Sequence, residues 1–215
     1  MIVLHYTGMA TAALAIERLC DPAAKVSAHY VILEDGAVLG LVDERLRAWH
    51  AGVSGWAGRI GLNDVSIGIE IVNGGHDHPV CGRLPAFPAA QMRSVVHLCR
   101  DIAERRRVPP DRILGHSDIA PARKADPGEA FDWSLLAAEG LVPQLAEPLA
   151  PVAVDTGRAG AALRRIGYMP DLPGTNLGHV VVAFQRRWRP HNVDGRLDAD
   201  TMARIETLAA ATAAP

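Results

Sequence analysis

The chain has 215 residues, of which 49% are hydrophobic and 5% aromatic, and its formal net charge is −2. This composition supports one substantial core and a small second one, and it argues against a disordered chain. The near-neutral charge indicates no nucleic-acid partner, and no apolar run approaches the roughly 20 residues that a membrane span needs.

The first third of the chain alternates short apolar runs with turn residues. We expect strands over residues 2–6, 28–33, 37–42 and 65–73. The turn residues Glu34, Asp35 and Gly36 predict a hairpin between the second and third of these strands. In the fourth strand, alternation puts Val65 and three isoleucines on one face and Gly68 and Glu70 on the other.

The second half of the chain has helical periodicity on both sides of a proline-rich segment. Residues 89–107 have the spacing of an amphipathic helix that covers the sheet. Three short amphipathic segments follow near residues 160–166, 177–188 and 200–210. The predicted organisation is therefore a first domain over 1–142, a proline-rich linker over 143–155 and a small three-helix domain over 156–212.

Cys20, Cys81 and Cys99 are an odd number of cysteines without CxxC spacing. They indicate unpaired thiols in a reducing compartment better than a disulfide framework. The first apolar run, residues 1–6, is followed at once by Thr7 and Gly8, a pattern that does not fit a signal peptide.

The loop over residues 115–128, GHSDIAPARKADPG, has the residues of a metal site. Asp126 precedes a proline, which favours extended backbone, and an extended segment points Lys124 and Asp126 to the same face. A hydrolytic zinc site uses three protein ligands, so His116 and Asp126 need one more histidine. His5 is the best candidate, although a lone strand histidine is more often a hydrogen-bonded core residue.

Two further side chains suit hydrolysis. Glu70 could be a solvated charge, but Gly68 clears the same strand face for something to approach, and a carboxylate near the metal can act as a general base. Lys124 is one of two lysines in the chain, and a compact ammonium beside a metal can stabilise an oxyanion. His76 and His78 lack a third ligand nearby in sequence and are expected to be solvated.

Five ordered segments together resemble the type 2 N-acetylmuramoyl-L-alanine amidases. They are VLHYT (3–7), SAHY (27–30), AWHAG (48–52), NDVSIGIE (63–70) and the loop 115–128. The resemblance covers about residues 2–140, and five motifs in order make it far more specific than any single pattern. It implies an α/β fold with a mixed central sheet flanked by helices, the fold shared with peptidoglycan recognition proteins.

The resemblance also implies roles for the residues of the site. In this family the positions of His5, His116 and Asp126 hold zinc, and those of Glu70 and Lys124 carry catalysis. The expected cofactor is therefore Zn²⁺, and the expected partner is a muropeptide or peptidoglycan substrate.

Four more positions are candidates for substrate binding. His29, Trp49 and His50 fall where the family lines its groove, although a tryptophan–histidine pair is also ordinary packing. Arg59 resembles a family arginine that meets the muropeptide, and this is the weaker correspondence.

Residues 180–201 resemble the helical peptidoglycan-binding module. The matching features are a Phe-Gln-Arg helix, a Val-Asp-Gly turn and an Asp-x-x-Thr helix start. Asp198 at the start of that helix can accept hydrogen bonds from unpaired amides. The alternative is a structural appendage that packs on the first domain and binds nothing.

The predicted reaction is zinc-dependent hydrolysis of the amide bond between N-acetylmuramic acid, or its 1,6-anhydro form, and L-alanine. One alternative is a recognition protein that binds muropeptides without cleaving them, but all three metal-ligand positions are filled here. Another is an envelope amidase acting on intact peptidoglycan, which the C-terminal segment favours. The apparent lack of a signal peptide favours cytoplasmic recycling of anhydro-muropeptides, whereas a signal upstream of this chain would favour the periplasm.

Overall fold

The computed structural model describes residues 1–145 and 149–212. Residues 146–148 of the predicted linker lie outside the described residues. The described chain forms a mixed sheet with helices on both faces, which confirms the predicted fold class, and a helical C-terminal region follows.

The described residues contain seven strands, which form one five-stranded sheet, in the order β3-β2-β6-β1-β7, and one small hairpin. Their bounds are β1 Ile2–Tyr6, β2 Tyr30–Ile32, β3 Val38–Gly40, β4 Gly55–Trp56, β5 Arg59–Ile60, β6 Ile67–Ile71 and β7 Ile113–Gly115. Strands β2, β6, β1 and β7 run parallel, and β3 is the antiparallel edge. The carboxyl ends of four strands therefore meet at one edge of the sheet.

Seven α-helices accompany the strands in the described ranges. They are α1 Ala12–Cys20, α2 Ala89–Arg106, α3 His116–Ile119, α4 Trp133–Ala138, α5 Thr156–Ile166, α6 Leu177–Trp188 and α7 Ala199–Ala211. Within the described ranges, no helix combines the length and apolar character needed to cross a bilayer.

One face of the sheet is covered by α2 and α4, as the periodicity of residues 89–107 predicts. Ile69 of β6 and Leu4 of β1 belong to the same buried cluster as Met92 and Ile102 of α2 and Leu136 of α4. Ile67, Ile69 and Ile71 of the predicted stripe are thus confirmed as a core face, and burying them stabilises the sheet by roughly 25 cal/mol per Å² of apolar surface. Val65 was wrongly placed with them: it precedes β6, where the strand alternation does not apply, and it packs against the cluster on the opposite face.

The opposite face of the sheet shares its core with the C-terminal helices. Val3 of β1 and Leu114 of β7 belong to one buried cluster together with Leu163 of α5 and Phe184 of α6. The predicted division at the linker stays a prediction, but these helices do cover an apolar surface of the sheet.

The predicted hairpin at residues 34–36 is confirmed. Gly36 turns the chain with φ +90°, and β2 and β3 pair as antiparallel neighbours. Both strands are shorter than the apolar runs. One reason is local: the amide of Gly68 donates to Nδ1 of His29 at 3.0 Å, so a side chain occupies the position of a ladder carbonyl and regular pairing begins at Tyr30.

The residues of the Phe-Gln-Arg, Val-Asp-Gly and Asp-x-x-Thr signature form hydrogen bonds within the C-terminal region. The Gln185 side chain donates to Asp194 Oδ1 at 3.1 Å and accepts from the Gly195 amide at 2.8 Å, which ties α6 to the turn before α7. Asp198 caps α7 by accepting from the Thr201 amide at 2.9 Å, as expected from the sequence. These contacts give the motif a role in the folding of the C-terminal helices, and its binding role stays a prediction.

Candidate active site and metal centre

The candidate site lies where the parallel strands end. His5 and Glu70 are direct register partners near the ends of β1 and β6, so their side chains leave the sheet on the same face. β7 ends at Gly115, and His116 opens α3 immediately beyond it. The carboxyl ends of parallel strands are the usual position for ligands in open α/β sheets.

Three side-chain atoms form a close triangle there. His5 Nδ1 lies 2.9 Å from His116 Nδ1 and 2.9 Å from Asp126 Oδ2, and His116 Nδ1 lies 3.0 Å from the same Asp126 oxygen. All three residues are buried, and they are a group that could hold a metal ion. The structure thus brings together the three predicted ligand positions.

The donor set fits a small divalent cation. If both Nδ1 atoms carried protons, both could donate to Asp126, but the two N–H groups would point at each other. A single cation can instead accept one lone pair from each of the two nitrogens and from the carboxylate oxygen. Ligands at about 2.0–2.2 Å from a tetrahedral zinc lie roughly 3.3 Å apart, so the triangle needs to widen by only a few tenths of an ångström.

Hydrogen bonds at the far side of each histidine turn the Nδ1 lone pairs toward the triangle. His116 Nε2 donates to the Ala51 carbonyl at 3.1 Å. The Ser66 hydroxyl donates to the Leu62 carbonyl, so its oxygen accepts from His50 Nε2 at 3.2 Å. His50 Nδ1 is then free to accept from His5 Nε2 at 3.0 Å. Contacts of this kind fix the tautomer and orientation of metal-binding histidines.

Burial favours the neutral form of His5 and of His50. It lowers the pKa of His5 to about 4, with help from the neighbouring His116. Burial also lowers the pKa of His50 well below its ordinary value, and His5 adds to this effect. Burial acts to raise the pKa of Asp126, but the contacts with His116 and His5 outweigh it and lower this pKa. The neutral imidazole of His5 and the carboxylate of Asp126 are thus in the protonation states that bind metal.

Gly68 makes room for His50. A Cβ at residue 68 would lie 2.3 Å from Cγ of the His50 ring, closer than real Cβ contacts allow. The expectation that Gly68 clears its strand face is confirmed, and the group that approaches is a side chain of the same protein.

Glu70 is a buried carboxyl group with an unused oxygen. Its Oε2 has no hydrogen-bond partner among the residues that the structure describes. Burial, and next the charge of Asp126, raise the pKa of Glu70 well above its ordinary value, against the opposing effect of Lys124. A buried carboxyl group with a raised pKa beside a candidate metal site is typical of an active site.

A cavity of about 400 Å³ opens onto the triangle. Glu70, Lys124 and His50 line it together with the three triangle residues, so five predicted catalytic and metal positions meet in one place. Its lining also includes Tyr6, His76 and Arg123, none of which the sequence analysis selected.

The residues that the sequence analysis missed are tied to the cavity by tertiary contacts. Tyr6 Oη lies 3.0 Å from His76 Nδ1, so His76 belongs to the cavity wall as well as to the solvent-facing loop. Burial raises the pKa of Tyr6 to about 12. Arg123 donates to the carbonyls of Ala51 and Val53 at 2.8 and 2.9 Å. Two sequence signals were available: Tyr6 follows His5, and Arg123 precedes Lys124 in the metal loop.

The predicted substrate-binding residues occupy different surroundings. His50 lines the cavity. His29 is buried: its Nε2 donates a hydrogen bond to the Leu46 carbonyl, and its Nδ1 accepts one from the Gly68 amide. Trp49 is 47% exposed and lines a neighbouring groove, and Arg59 lies on β5, the exposed strand of the β4–β5 hairpin. The substrate roles of all four stay predictions.

Comparison with known proteins gives consistent matches. The family model described as N-acetylmuramoyl-L-alanine amidase matches residues 1–129. N-acetylmuramoyl-L-alanine amidase AmiD of Escherichia coli is 35% identical over 227 residues, covering 97% of this chain and 81% of AmiD. The 1,6-anhydro-N-acetylmuramyl-L-alanine amidase AmpD of Haemophilus influenzae is 43% identical over 110 residues, covering 51% of this chain and 55% of AmpD.

Solved structures extend the match over the C-terminal helices. The complex of E. coli AmiD with anhydro-N-acetylmuramic acid-L-Ala-D-γ-Glu-L-Lys superposes with a TM-score of 0.86 at 35% identity, covering 97% of this chain and 87% of that chain. AMPDH3 from Pseudomonas aeruginosa gives a TM-score of 0.85 at 34% identity, covering 97% and 90%.

The fold and the site define a hydrolytic enzyme with a candidate metal centre at the carboxyl edge of a mixed sheet. The chain belongs to the N-acetylmuramoyl-L-alanine amidase family. The resemblance drawn from the five motifs is thereby confirmed.

Proposed function

We propose that this protein hydrolyses the amide bond that joins N-acetylmuramic acid, or its 1,6-anhydro form, to L-alanine in a muropeptide. The observation that carries the proposal is the triangle of His5, His116 and Asp126 beside the unpartnered oxygen of Glu70. The AmiD complex with an anhydro-muropeptide, on the same fold, supports this substrate class.

We further propose that the three triangle residues hold zinc. Two imidazole nitrogens and one carboxylate are among the ligand sets of hydrolytic zinc sites, which keep a position for water or substrate. Zinc in such a site acts as a Lewis acid toward the carbonyl and lowers the pKa of water to about 7.

Glu70 supplies the proton transfers in this proposal. Its free oxygen accepts a proton from the water that attacks the lactyl carbonyl, and the same carboxyl group then gives that proton to the nitrogen of the departing L-alanine. The products are the muramic acid carboxylate and a peptide with a free amino terminus. A raised pKa suits a group that first accepts and then donates a proton near neutral pH.

Lys124 supplies positive charge at the cavity wall. As the carbonyl becomes tetrahedral, negative charge develops on its oxygen, and a fixed ammonium in a partly buried cavity stabilises that charge. Lys124 also opposes the rise in the pKa of Glu70 that burial and the charge of Asp126 cause.

Metal analysis tests the zinc assignment. We expect one zinc per chain in the wild-type protein and its loss in His116→Ala, because two ligands from a three-ligand set bind weakly. Arg45→Ala is a matched control, since Arg45 pairs only with Asp43 on the exposed surface. Stoichiometric zinc of unchanged affinity in His116→Ala would show that the metal binds elsewhere.

Substrate preference and compartment are the finer parts of the proposal. We favour soluble anhydro-muropeptides and a cytoplasmic recycling role over action on the intact wall. Mass spectrometry of products from purified anhydro-muropeptide and from sacculi, run side by side, separates the two. Faster release of peptide from sacculi would favour the envelope role, and cell fractionation would then be expected to place the protein in the periplasm.

A further inference from the structure

Asp118 links the metal loop to the C-terminal helices. It lies two residues after His116 and is 1% exposed. Within its own loop, its Oδ2 accepts from the Gly115 amide at 2.9 Å, closing the first turn of α3 around His116. From outside the loop it accepts two further hydrogen bonds, from Tyr168 and Arg187.

Both outside donors come from the C-terminal segment. Tyr168 Oη donates to Asp118 Oδ1 at 2.6 Å, and Arg187 Nη1 donates to Oδ2 at 2.8 Å. Tyr168 is fully buried and Arg187 nearly so. Charge-assisted bonds in such surroundings are among the strong ones, and removing one partner leaves the other buried and uncompensated.

The two donors are themselves held in place. The Tyr168 ring packs edge-on against Trp56 with centroids 4.8 Å apart. The Arg187 guanidinium lies 4.0 Å over the ring of Trp133 and 4.9 Å from that of Trp188. The C-terminal helices thus present a rigid hydroxyl and a rigid guanidinium to the loop.

The loop transmits this restraint to two of the triangle residues. His116 is the first residue of the turn that Asp118 closes. The Ser117 amide donates to the Asp126 carbonyl at 2.9 Å, which joins the two ends of the loop. A displacement of Asp118 therefore moves His116 directly and Asp126 through Ser117.

We propose that Tyr168 and Arg187 are positioning residues for the metal centre, acting through Asp118, so that the C-terminal helices complete the amidase site. The inference rests on the proposed function in taking His116 and Asp126 as metal ligands. The C-terminal segment that carries Tyr168 and Arg187 would then contribute to catalysis on a small soluble substrate, whether or not it binds the cell wall.

Full-length variants test the proposal. Tyr168→Phe keeps the ring and removes the donor, and Arg187→Met removes the charge while keeping an apolar stem. Compared with Arg187→Met, Arg187→Lys keeps the positive charge but lacks the planar guanidinium group. Arg164→Ala is the matched control, because Arg164 belongs to the same segment but pairs with Asp171 at the exposed surface.

Zinc affinity, measured by competition with a chelator, is the main readout, with the visible spectrum of the Co²⁺-substituted protein as a second. Loss of groups that support metal ligands typically weakens metal binding about 10–100-fold. We expect about tenfold weaker zinc binding and an altered Co²⁺ spectrum in Tyr168→Phe and Arg187→Met, partial recovery in Arg187→Lys, and no change in Arg164→Ala. With zinc saturating, kcat should fall while KM stays close to that of wild type.

The melting temperature of each zinc-free variant separates positioning from general stability. Tyr168→Phe or Arg187→Met with a lower melting temperature but unchanged zinc affinity and Co²⁺ spectrum would overturn the proposal. So would an equal loss of affinity in Arg164→Ala. A wild-type protein that binds no zinc, or binds it and releases no peptide, would instead contradict the proposed function, so the two failures are distinguishable.

Discussion

Glu70 combines burial with an oxygen atom that forms no hydrogen bond with any described residue. An unsatisfied buried polar atom costs about 1–3 kcal/mol, so the fold keeps this arrangement at some expense of stability. The second carboxyl group nearby, Asp126, is engaged by two imidazoles and has its pKa lowered. Two carboxyl groups whose pKa values move in opposite directions are suited to different roles, one to proton transfer and one to binding a cation.

Replacing Glu70 with glutamine tests its role as the base. The amide keeps the shape of the side chain but accepts no proton, so we expect kcat to fall by about 10²–10⁴ while zinc content and melting temperature stay near wild type. Steady-state kinetics with metal analysis of the same preparation are the measurement. Activity within a few-fold of wild type would assign the base to another residue.

The sequence located the residues whose chemistry is local and missed those whose role depends on tertiary neighbours. His116 and Asp126 lie ten residues apart in one loop, and the alternation of β6 put Glu70 on the face away from the isoleucines. No comparable pattern connects His50 to Ser66 or His76 to Tyr6, because these pairs meet only after the strands are in register.

At the scale of secondary-structure elements, the C-terminal end of α2 is tied to the loop after β3 by one acidic residue. Glu44 accepts hydrogen bonds from Arg105, Arg106 and Tyr30, at 2.8–3.0 Å. The bond from Arg105 is the main reason that the pKa of Glu44 falls to about 2. The contact joins the antiparallel edge of the sheet to the helix that covers it.

A Glu44→Gln variant should show this link as a pH-dependent stability difference. The folded-state pKa of about 2 lies below the ordinary value of 4.5, so the stabilisation is present above about pH 4.5 and is lost as the pH falls toward 2. We expect the variant to be less stable than wild type by about 1 kcal/mol at pH 7, with a deficit that shrinks below about pH 4.5 and disappears as the pH falls to about 2.

Urea unfolding at several pH values measures this difference. Asp43→Asn is the control, because Asp43 forms its ion pair with Arg45 in solvent. A Glu44→Gln deficit that stays constant down to pH 3 would show that packing, and not the ionised carboxylate, holds the loop to the helix.

Sequence periodicity predicted where the helices and strands lie, but it did not predict where every one of them begins and ends. The helix expected over 89–107 runs Ala89–Arg106, and the last two C-terminal helices were located to within a residue. The second strand is three residues long where six were expected, since the His29 ring takes the bond that would have extended it. Competition between a side chain and the backbone for one amide is invisible in an apolar run.

For the whole molecule, the packing of the C-terminal helices on the sheet is the feature that the sequence left open. Composition and prolines marked a boundary near residue 143, and an appendage packed on the first domain was one of two alternatives. Amphipathic faces show that a helix is buried on one side, but they do not identify the surface that covers it. The shared core around Leu114 and Phe184 supplies that partner.

Deleting residues 152–215 should therefore destabilise what remains. The truncated chain would expose Trp56, Leu114 and Val3, which are buried beside the C-terminal helices, and each large apolar side chain contributes about 1.5–3 kcal/mol when buried. We expect the melting temperature to drop by about 10 °C or more, with increased binding of a hydrophobic dye. A truncated chain that melts with the full-length protein and binds no dye would show that the two regions are energetically independent.

Hydrolysis of the muramoyl amide can be tested directly with labelled water. Wild-type protein with bound zinc is incubated with a purified anhydro-muropeptide in H₂¹⁸O, and the products are analysed by mass spectrometry. We expect one ¹⁸O atom in the lactyl carboxylate of the anhydro sugar, an unlabelled peptide that begins with free L-alanine, and neither product with Glu70→Gln over the same time. Label in the peptide, cleavage at any other bond, or an intact muropeptide would contradict this expectation.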